Sequence, residues 1–192
     1  MPHLILASTS PSRKTLLERL QIPFMTVAPD IDETALPHES PAQLVKRLAI
    51  GKAKVHAHRF PNTLIIGCDQ VALLGKHIVS KPETHEAAVR QLKKSSDKKI
   101  QFFNGICLLN TATGNLQIAV ERFTVFYRKL TTAMIENYLQ KEKPYHCAGS
   151  IKAEGLGIAL FSRVAGSDFT TITGLPLIRL VTMLQNEGVK II

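Results

Sequence analysis

Apolar and polar residues alternate along the chain with two periods, and each change of period predicts an element. His3 to Ala7 is a short aliphatic run and predicts a first strand. Ser10 suits an N-cap and Pro11 the first helical position, and Leu16, Leu17 and Leu20 then recur at helical spacing. Phe24 to Ala28 predicts a second strand. Ser40-Pro41-Ala42-Gln43 opens a helix with a capping box. That helix is expected to reach about His58, with Leu44, Leu48 and Val55 on its apolar face. Leu64 to Pro82 reads as a compact hairpin. Its first arm, Leu64 to Ile66, ends in Gly67-Cys68, and Asp69 and Gln70 follow. Val71 to Leu74 resumes the apolar run, and Gly75-Lys76 turns the chain into Ile78-Val79.

A helix is expected next from about Thr84 to Lys94. Ile100 to Asn110 and Leu116 to Arg128 are strand-like runs joined by Thr111 to Asn115, the pattern of an antiparallel hairpin. A helix from about Thr132 to Lys141 shows Met134, Ile135 and Tyr138 as its apolar face, and Pro144 ends that region. Tyr145 to Ser150 reads as a loop or short strand. The Gly-rich polar segment from Lys152 to Gly157 leads into the apolar run Ile158 to Phe161. Gly166-Ser167-Asp168 turns the chain, and Thr170 to Pro176 opens a final helix with Pro176 near its start. There is no internal repeat, low-complexity segment or linker. The 192 residues suffice for one sizeable domain, or for two small lobes around a shared sheet.

Composition narrows the class. With 45% hydrophobic and 20% charged residues the chain reads as a soluble globular protein. No apolar run approaches the roughly 20 residues of a membrane span. The start, MPHLILAS, has no basic residues ahead of its apolar ones, so no signal peptide is expected. Cys68, Cys107 and Cys147 lie far apart without a C-x-x-C pair, which suits reduced thiols in a cytoplasmic protein. Cys68 reads as a small buried apolar residue rather than a nucleophile. The net charge of +9 favours anionic partners, whether nucleotide, nucleic acid or acidic surface. The dense basic run from Arg90 to Lys99 reads as the solvated end of a helix. With 6% aromatic residues and no Trp, a base-stacking platform for single strands is disfavoured. The glycines match neither a P-loop nor a dinucleotide fingerprint, zinc-site spacing is absent, and none of the scattered histidines is assigned a catalytic role.

Three places could carry chemistry. Asp69 and Lys81 set an acid and a base at two ends of the central hairpin, although an acid after a strand commonly just caps a turn. Ser8, Thr9 and Ser10, the free N–H groups of the first helix and Arg13 could all face one anion. Asp30, Asp32 and Glu33 are hard oxygen donors of the kind Mg²⁺ or Mn²⁺ takes, with Asp30 and Asp32 read as an exposed acidic loop. Lys52 and Lys54 lie two apart on one helix, so at most one of them enters a site.

The segments LASTSPSRKTLL near the start, DIDET at 30–34, GCDQV at 67–71, SKP at 80–82, AGSIKAEGLG at 148–157 and TGLPLIRL at 173–180 occur in this order. Together they resemble the Maf family of nucleoside-triphosphate pyrophosphatases over nearly the whole chain, as a single domain spanning residues 1–192. The resemblance implies an α/β fold: a mixed, elongated central sheet flanked by helices, with a cleft between two lobes. It implies hydrolysis between the α and β phosphates to a nucleoside monophosphate and pyrophosphate, with a divalent metal, Mg²⁺ or Mn²⁺. Carried over by position, Asp69 is the catalytic carboxylate, as general base or metal partner. Ser8, Arg13, Lys52 and the catalytic Lys81 surround the triphosphate, and Glu33 is a metal or water ligand. Gln70, where the wider family usually has Thr, together with Glu154 resembles the subclass acting on 7-methyl-GTP. Glu154 would accept the guanine N–H donors and favour the methylated cation, and Gln70 would supply a donor and an acceptor. Ser12 stands where that subclass often carries a base-contacting aromatic, and Asn104 where Thr is common, which implies looser base selection. dTTP or UTP is the alternative substrate, and a nucleotide- or nucleic-acid-binding regulator without turnover is the alternative class. The expected partner is a nucleoside triphosphate, with no obligatory nucleic acid and no membrane. A homodimer accords with base rates.

Overall fold

The computed structural model describes residues 3–192. Its strands are β1 (His3–Ala7), β2 (Met25–Val27), β3 (Thr63–Leu74), β4 (His77–Ile78), β5 (Lys99–Asn110), β6 (Leu116–Tyr127) and β7 (Phe161–Ala165). They form a seven-stranded sheet in the order β2-β1-β3-β5-β6-β7, with β4 on β3. β1 is parallel to β2 and to β3, whereas β4 is antiparallel to β3 and β7 to β6, so the sheet is mixed. Helices α1 (Pro11–Glu18), α2 (Pro41–Lys54), α3 (His85–Ser95), α4 (Thr132–Glu142), α5 (Thr170–Thr173) and α6 (Leu177–Asn186) flank it. This is the α/β class expected.

The chain divides into two compact units. One comprises the chain up to Gln70 with Phe103–Glu121 and Asp168–Ile192; the other comprises Val71–Phe102 and Arg122–Ser167. In the first unit, strand periodicity sorts the core into two faces. Leu4, Leu6, Leu64, Ile66 and Cys68 pack with Leu16 and Leu17 of α1 and Leu180 and Leu184 of α6. Ile5, Ala7 and Ile65 point the other way and pack with Ala49 and Ala53 of α2. Strands covered on both faces read as continuous apolar runs, which is why these segments are visible in the sequence. Asp168 joins the last two helices: its Oδ1 accepts from Thr170 N at 2.8 Å, and its Oδ2 from Ile178 N at 2.8 Å.

Two glycines set how closely α2 lies on this sheet. A Cβ on Gly67 would collide with the Ala49 carbonyl and with Ala53, and one on Gly105 with the Val45 carbonyl. Both strands give up a side chain so that the helix backbone can approach.

In the second unit, Thr84 caps α3 by accepting from Ala87 N. α4 buries Ile135, Tyr138 and Leu139. The Tyr138 hydroxyl donates to Ser150 O at 3.0 Å and accepts from Lys152 N at 3.0 Å, which fixes the segment after α4.

The structure corrects several boundaries. β3 does not end at Gly67-Cys68 but runs through Asp69 and Gln70 to Leu74, because Gly67 serves packing and not a turn. The second arm of that hairpin is only two residues long. α2 stops at Lys54, and a separate 3₁₀ turn covers Ala57–Arg59. The second strand is confined to Met25–Val27. Met134 is exposed, and Leu139 takes the buried place. The final helix begins after Pro176, separated from α5 by Gly174 at φ 109°.

Substituting Gly67→Ala should lower stability by about 1–3 kcal/mol through overpacking. Urea denaturation checks this; an unchanged midpoint would show that the close approach of α2 is not required.

Candidate active site

Alternation along β3 puts Asp69 on the same face as Ile65 and Gly67, the face that α2 covers. Lys52 on α2 descends onto it. The Lys52 Nζ lies 2.7 Å from Asp69 Oδ1 and 2.7 Å from Glu33 Oε1. Lys52 is 4% exposed and Asp69 6%, while Lys54 is exposed, so one lysine of the two enters the site. A buried ammonium must be paired. Two of its three N–H donors meet carboxylates here, and one is left.

Glu33 sits on a loop that α2 holds. Arg47 Nε and Nη2 donate to Glu39 Oε1 and Oε2 at 2.7 and 2.8 Å, a bidentate pair. Arg47 Nη2 also donates to Thr34 O at 2.9 Å, and Leu36 N donates to Glu39 Oε2 at 3.0 Å. The Arg47 guanidinium, helped by the Leu36 amide, holds the Glu39 carboxyl down at about 2. Asp32 is also held below its ordinary value, through its bonds to Thr34. Arg47 thus positions the loop that carries Glu33. Sequence reasoning missed it, because a pair eight residues apart across a loop and a helix start has no periodic signature.

The other face of β3 carries Cys68 and Gln70. Cys68 is fully buried, and burial pushes its thiol pKa up, away from the thiolate that a nucleophile needs. Arg13 Nε donates to Gly174 O and its Nη1 to Cys68 O, both at 3.0 Å, which ties α1 to β3 and to the end of α5. Ser8 Oγ accepts from Ser10 N at 3.1 Å and shapes the turn into α1, in whose first turn Ser12 is half-buried. Gln70 Nε2 donates to Thr171 O at 2.9 Å and Ile172 O at 3.0 Å. Both amide hydrogens are therefore spent, and Oε1 is the end left to read a ligand. Asn104 Nδ2 donates to the same Thr171 carbonyl at 2.6 Å, and its buried Oδ1 has no partner among the described residues. The carbonyls of Thr171 and Ile172 were not foreseen.

The second unit holds Lys81 and Glu154. Both are exposed, and both act on the Cys147 thiol. Burial raises its pKa, Glu154 raises it further, and Lys81 opposes them. Gln91 links their segments, with Nε2 donating to Ser80 O at 2.9 Å and Oε1 accepting from Ser150 Oγ at 2.7 Å. Glu142 pins the loop after Glu154, pairing with Lys152 at 3.2 Å and accepting from Leu156 N at 2.8 Å.

Among the described residues no group of three or more His, Cys, Asp or Glu side chains converges on a metal position. Asp69 and Glu33 are nonetheless two hard carboxylates sharing one ammonium. That donor set fits an octahedral cation that takes one or two carboxylates and completes its shell with water and substrate phosphates. It does not fit an all-protein cage.

Residues 3–187 match the family described as Maf-like protein. The chain is 51% identical over 191 residues to a 7-methyl-GTP pyrophosphatase of Nitrosococcus oceani, covering all of this chain and 96% of that one. It is 52% identical over 191 residues to a 7-methyl-GTP pyrophosphatase of Pseudomonas syringae pv. tomato, covering all of both. Among solved structures, the Ham1 protein of Staphylococcus aureus aligns with a TM-score of 0.44 at 15% identity, over 66% of this chain and 72% of that one.

Removing one member of the buried pair should cost far more than removing both. Lys52→Met should destabilise by about 3–5 kcal/mol, and adding Asp69→Leu should recover part of that loss. A double-mutant cycle by denaturant unfolding measures it; additive losses would refute the coupling. The Glu39–Arg47 clamp makes a pH prediction. The folded pKa of Glu39 lies below its unfolded value of about 4.3, so its stabilisation is complete above that pH and lost as pH falls toward about 2. Carboxyl NMR titration should place Glu39 near 2 in the wild type and return it toward about 4.3 in Arg47→Gln.

Proposed function

The chain belongs to the Maf family, and on that footing we propose that it hydrolyses the α–β phosphate bond of 7-methyl-GTP, releasing 7-methyl-GMP and pyrophosphate. A nucleoside triphosphate pyrophosphatase is supported by relatives in two organisms, each named 7-methyl-GTP pyrophosphatase, that match over the whole of this chain. The observation that carries the chemistry is the buried Lys52 ammonium, shared between Asp69 and Glu33 at 2.7 Å from each.

Lys52 engages Asp69 Oδ1 and so fixes the carboxylate. Asp69 Oδ2 takes a proton from the attacking water as its oxygen bonds to the α phosphorus and the bond to the bridging oxygen breaks. Pyrophosphate leaves with that electron pair. The remaining Lys52 donor, the Ser12 N–H at the start of α1 and the Arg13 guanidinium offset charge on the phosphate oxygens. Mg²⁺ or Mn²⁺, held by Asp69 and Glu33, would add fixed positive charge to those oxygens. Gln70, its nitrogen locked onto Thr171 and Ile172, presents Oε1 to the guanine N–H donors. Lys81 is assigned to phosphate and Glu154 to the N7-methylated base, whose positive charge a carboxylate favours.

The test is pyrophosphate release from 7-methyl-GTP, GTP, dTTP, UTP and CTP with Mg²⁺ or Mn²⁺. 7-methyl-GTP should be cleaved best, chelation should abolish turnover, and Asp69→Asn should lower kcat by about 10²–10⁴. A preference for dTTP or UTP would overturn the base reading while leaving the chemistry. Binding without cleavage of any nucleotide would overturn the enzyme itself.

A further inference from the structure

The second unit contains a cavity of about 1060 Å³ whose lining includes none of the residues assigned to catalysis or substrate binding, although Ser80 and Gln91, which link the segments of Lys81 and Glu154, form part of its wall. Its size is at the upper end of the roughly 300–1,000 Å³ of small-molecule sites. One wall is apolar and aromatic: Leu74, Ile78, Phe126 and Tyr127. Phe126 and Tyr127 are neighbours on β6, and neighbours on a regular strand face opposite sides. Both contribute to the lining, and opposite them the register with β7 skips Ser162, itself a lining residue, so the ladder is interrupted at this wall. Arg163, outside the lining, covers the Phe126 ring at 3.6 Å from its centroid. The Tyr127 hydroxyl is buried and has no hydrogen-bond partner among the described residues, an uncommon state for a buried donor.

The rest of the lining is cationic. Lys94 comes from the end of α3, and Lys98 and Lys99 from the entry to β5. These are the residues of the basic run that reads, from sequence, as a solvated helix end. No ion pair engages any of the three among the described residues. Asp97 is the one acid in the lining, so three lysines less one aspartate leave two net positive charges among its lysine and acidic side chains. Two positive charges match a phosphate monoester dianion, and lysines bind phosphate as point charges.

We propose that this cavity is a second ligand site, for a small phosphorylated ring compound of the nucleoside monophosphate class. The lysines take the phosphate and the aromatic wall takes the ring. The site stands on its own lining and does not depend on the reaction proposed above.

The experiment is a residue-resolved NMR titration of the full chain with AMP, and in parallel with adenosine and with inorganic phosphate. AMP should shift the amides of Gly75, Gln101 and Tyr127 saturably. Adenosine or phosphate alone, and AMP with the Lys98→Ala/Lys99→Ala variant, should each bind at least about tenfold more weakly, about 1.4 kcal/mol. Triphosphate hydrolysis by that variant should stay within about twofold of wild type, since neither lysine belongs to the catalytic set. The proposal is overturned if those amides show no saturable shift with AMP. It is equally overturned if removing the lysines leaves AMP affinity unchanged, or if phosphate alone binds as tightly as AMP. Shifts that follow protein concentration without ligand would assign the cavity to a second copy of the chain, and would also overturn it.

Discussion

A lysine ammonium removed from water is stable only when negative charge meets it at hydrogen-bond distance. Much of the first unit serves that requirement. Lys52 reaches the sheet because α2 lies close to β3 and β5, and it lies close because Gly67 and Gly105 carry no side chains and Ala49 and Ala53 carry small ones. Asp69 is under the helix because β3 continues past Gly67 in unbroken alternation. Glu33 arrives from outside, on a loop that Arg47 of the same helix holds through Glu39 and Thr34. One helix therefore supplies the cation, the packing surface and the clamp. The carboxylates are held by its geometry and not by a cluster of their own.

The polar network on the other face works differently. Backbone carbonyls at Cys68, Thr171, Ile172 and Gly174 accept from Arg13, Gln70 and Asn104. Side chains that could have remained mobile are locked by main-chain acceptors in or just after β3 and α5. Such locking favours a pre-shaped surface over one that adapts on binding.

What could be read from sequence alone was local. The Ser10, Ser40 and Thr84 caps act within one turn, so their signatures are contiguous and the starts of α1 and α2 come out correctly. The long apolar runs of β5 and β6 are equally visible. Gly67-Cys68 misleads because the reason for that glycine is the backbone of α2, far off in the chain. Met134 and Leu139 both fit a helical stripe, and only the contacts of α4 decide which is buried. In the candidate site, Asp69, Glu33 and Lys52 were legible through family resemblance. Arg47 and the carbonyls of Thr171 and Ile172 were not, because a guanidinium eight residues from its carboxylate, or a main-chain oxygen, leaves no pattern.

Asp69 and Gln70 are consecutive residues with opposite duties. The carboxylate turns toward α2, and the amide toward α5. Their division of labour is written in the parity of β3. Substitutions along this strand alter one face at a time and leave the other intact. A single-residue insertion or deletion between β1 pairing at Gly67 and Asp69 would exchange the two faces, setting an amide before the ammonium and a charge against the carbonyls of α5. This stretch can therefore diversify by point change but not by change of length. Relatives that differ in chain length should carry their additions elsewhere.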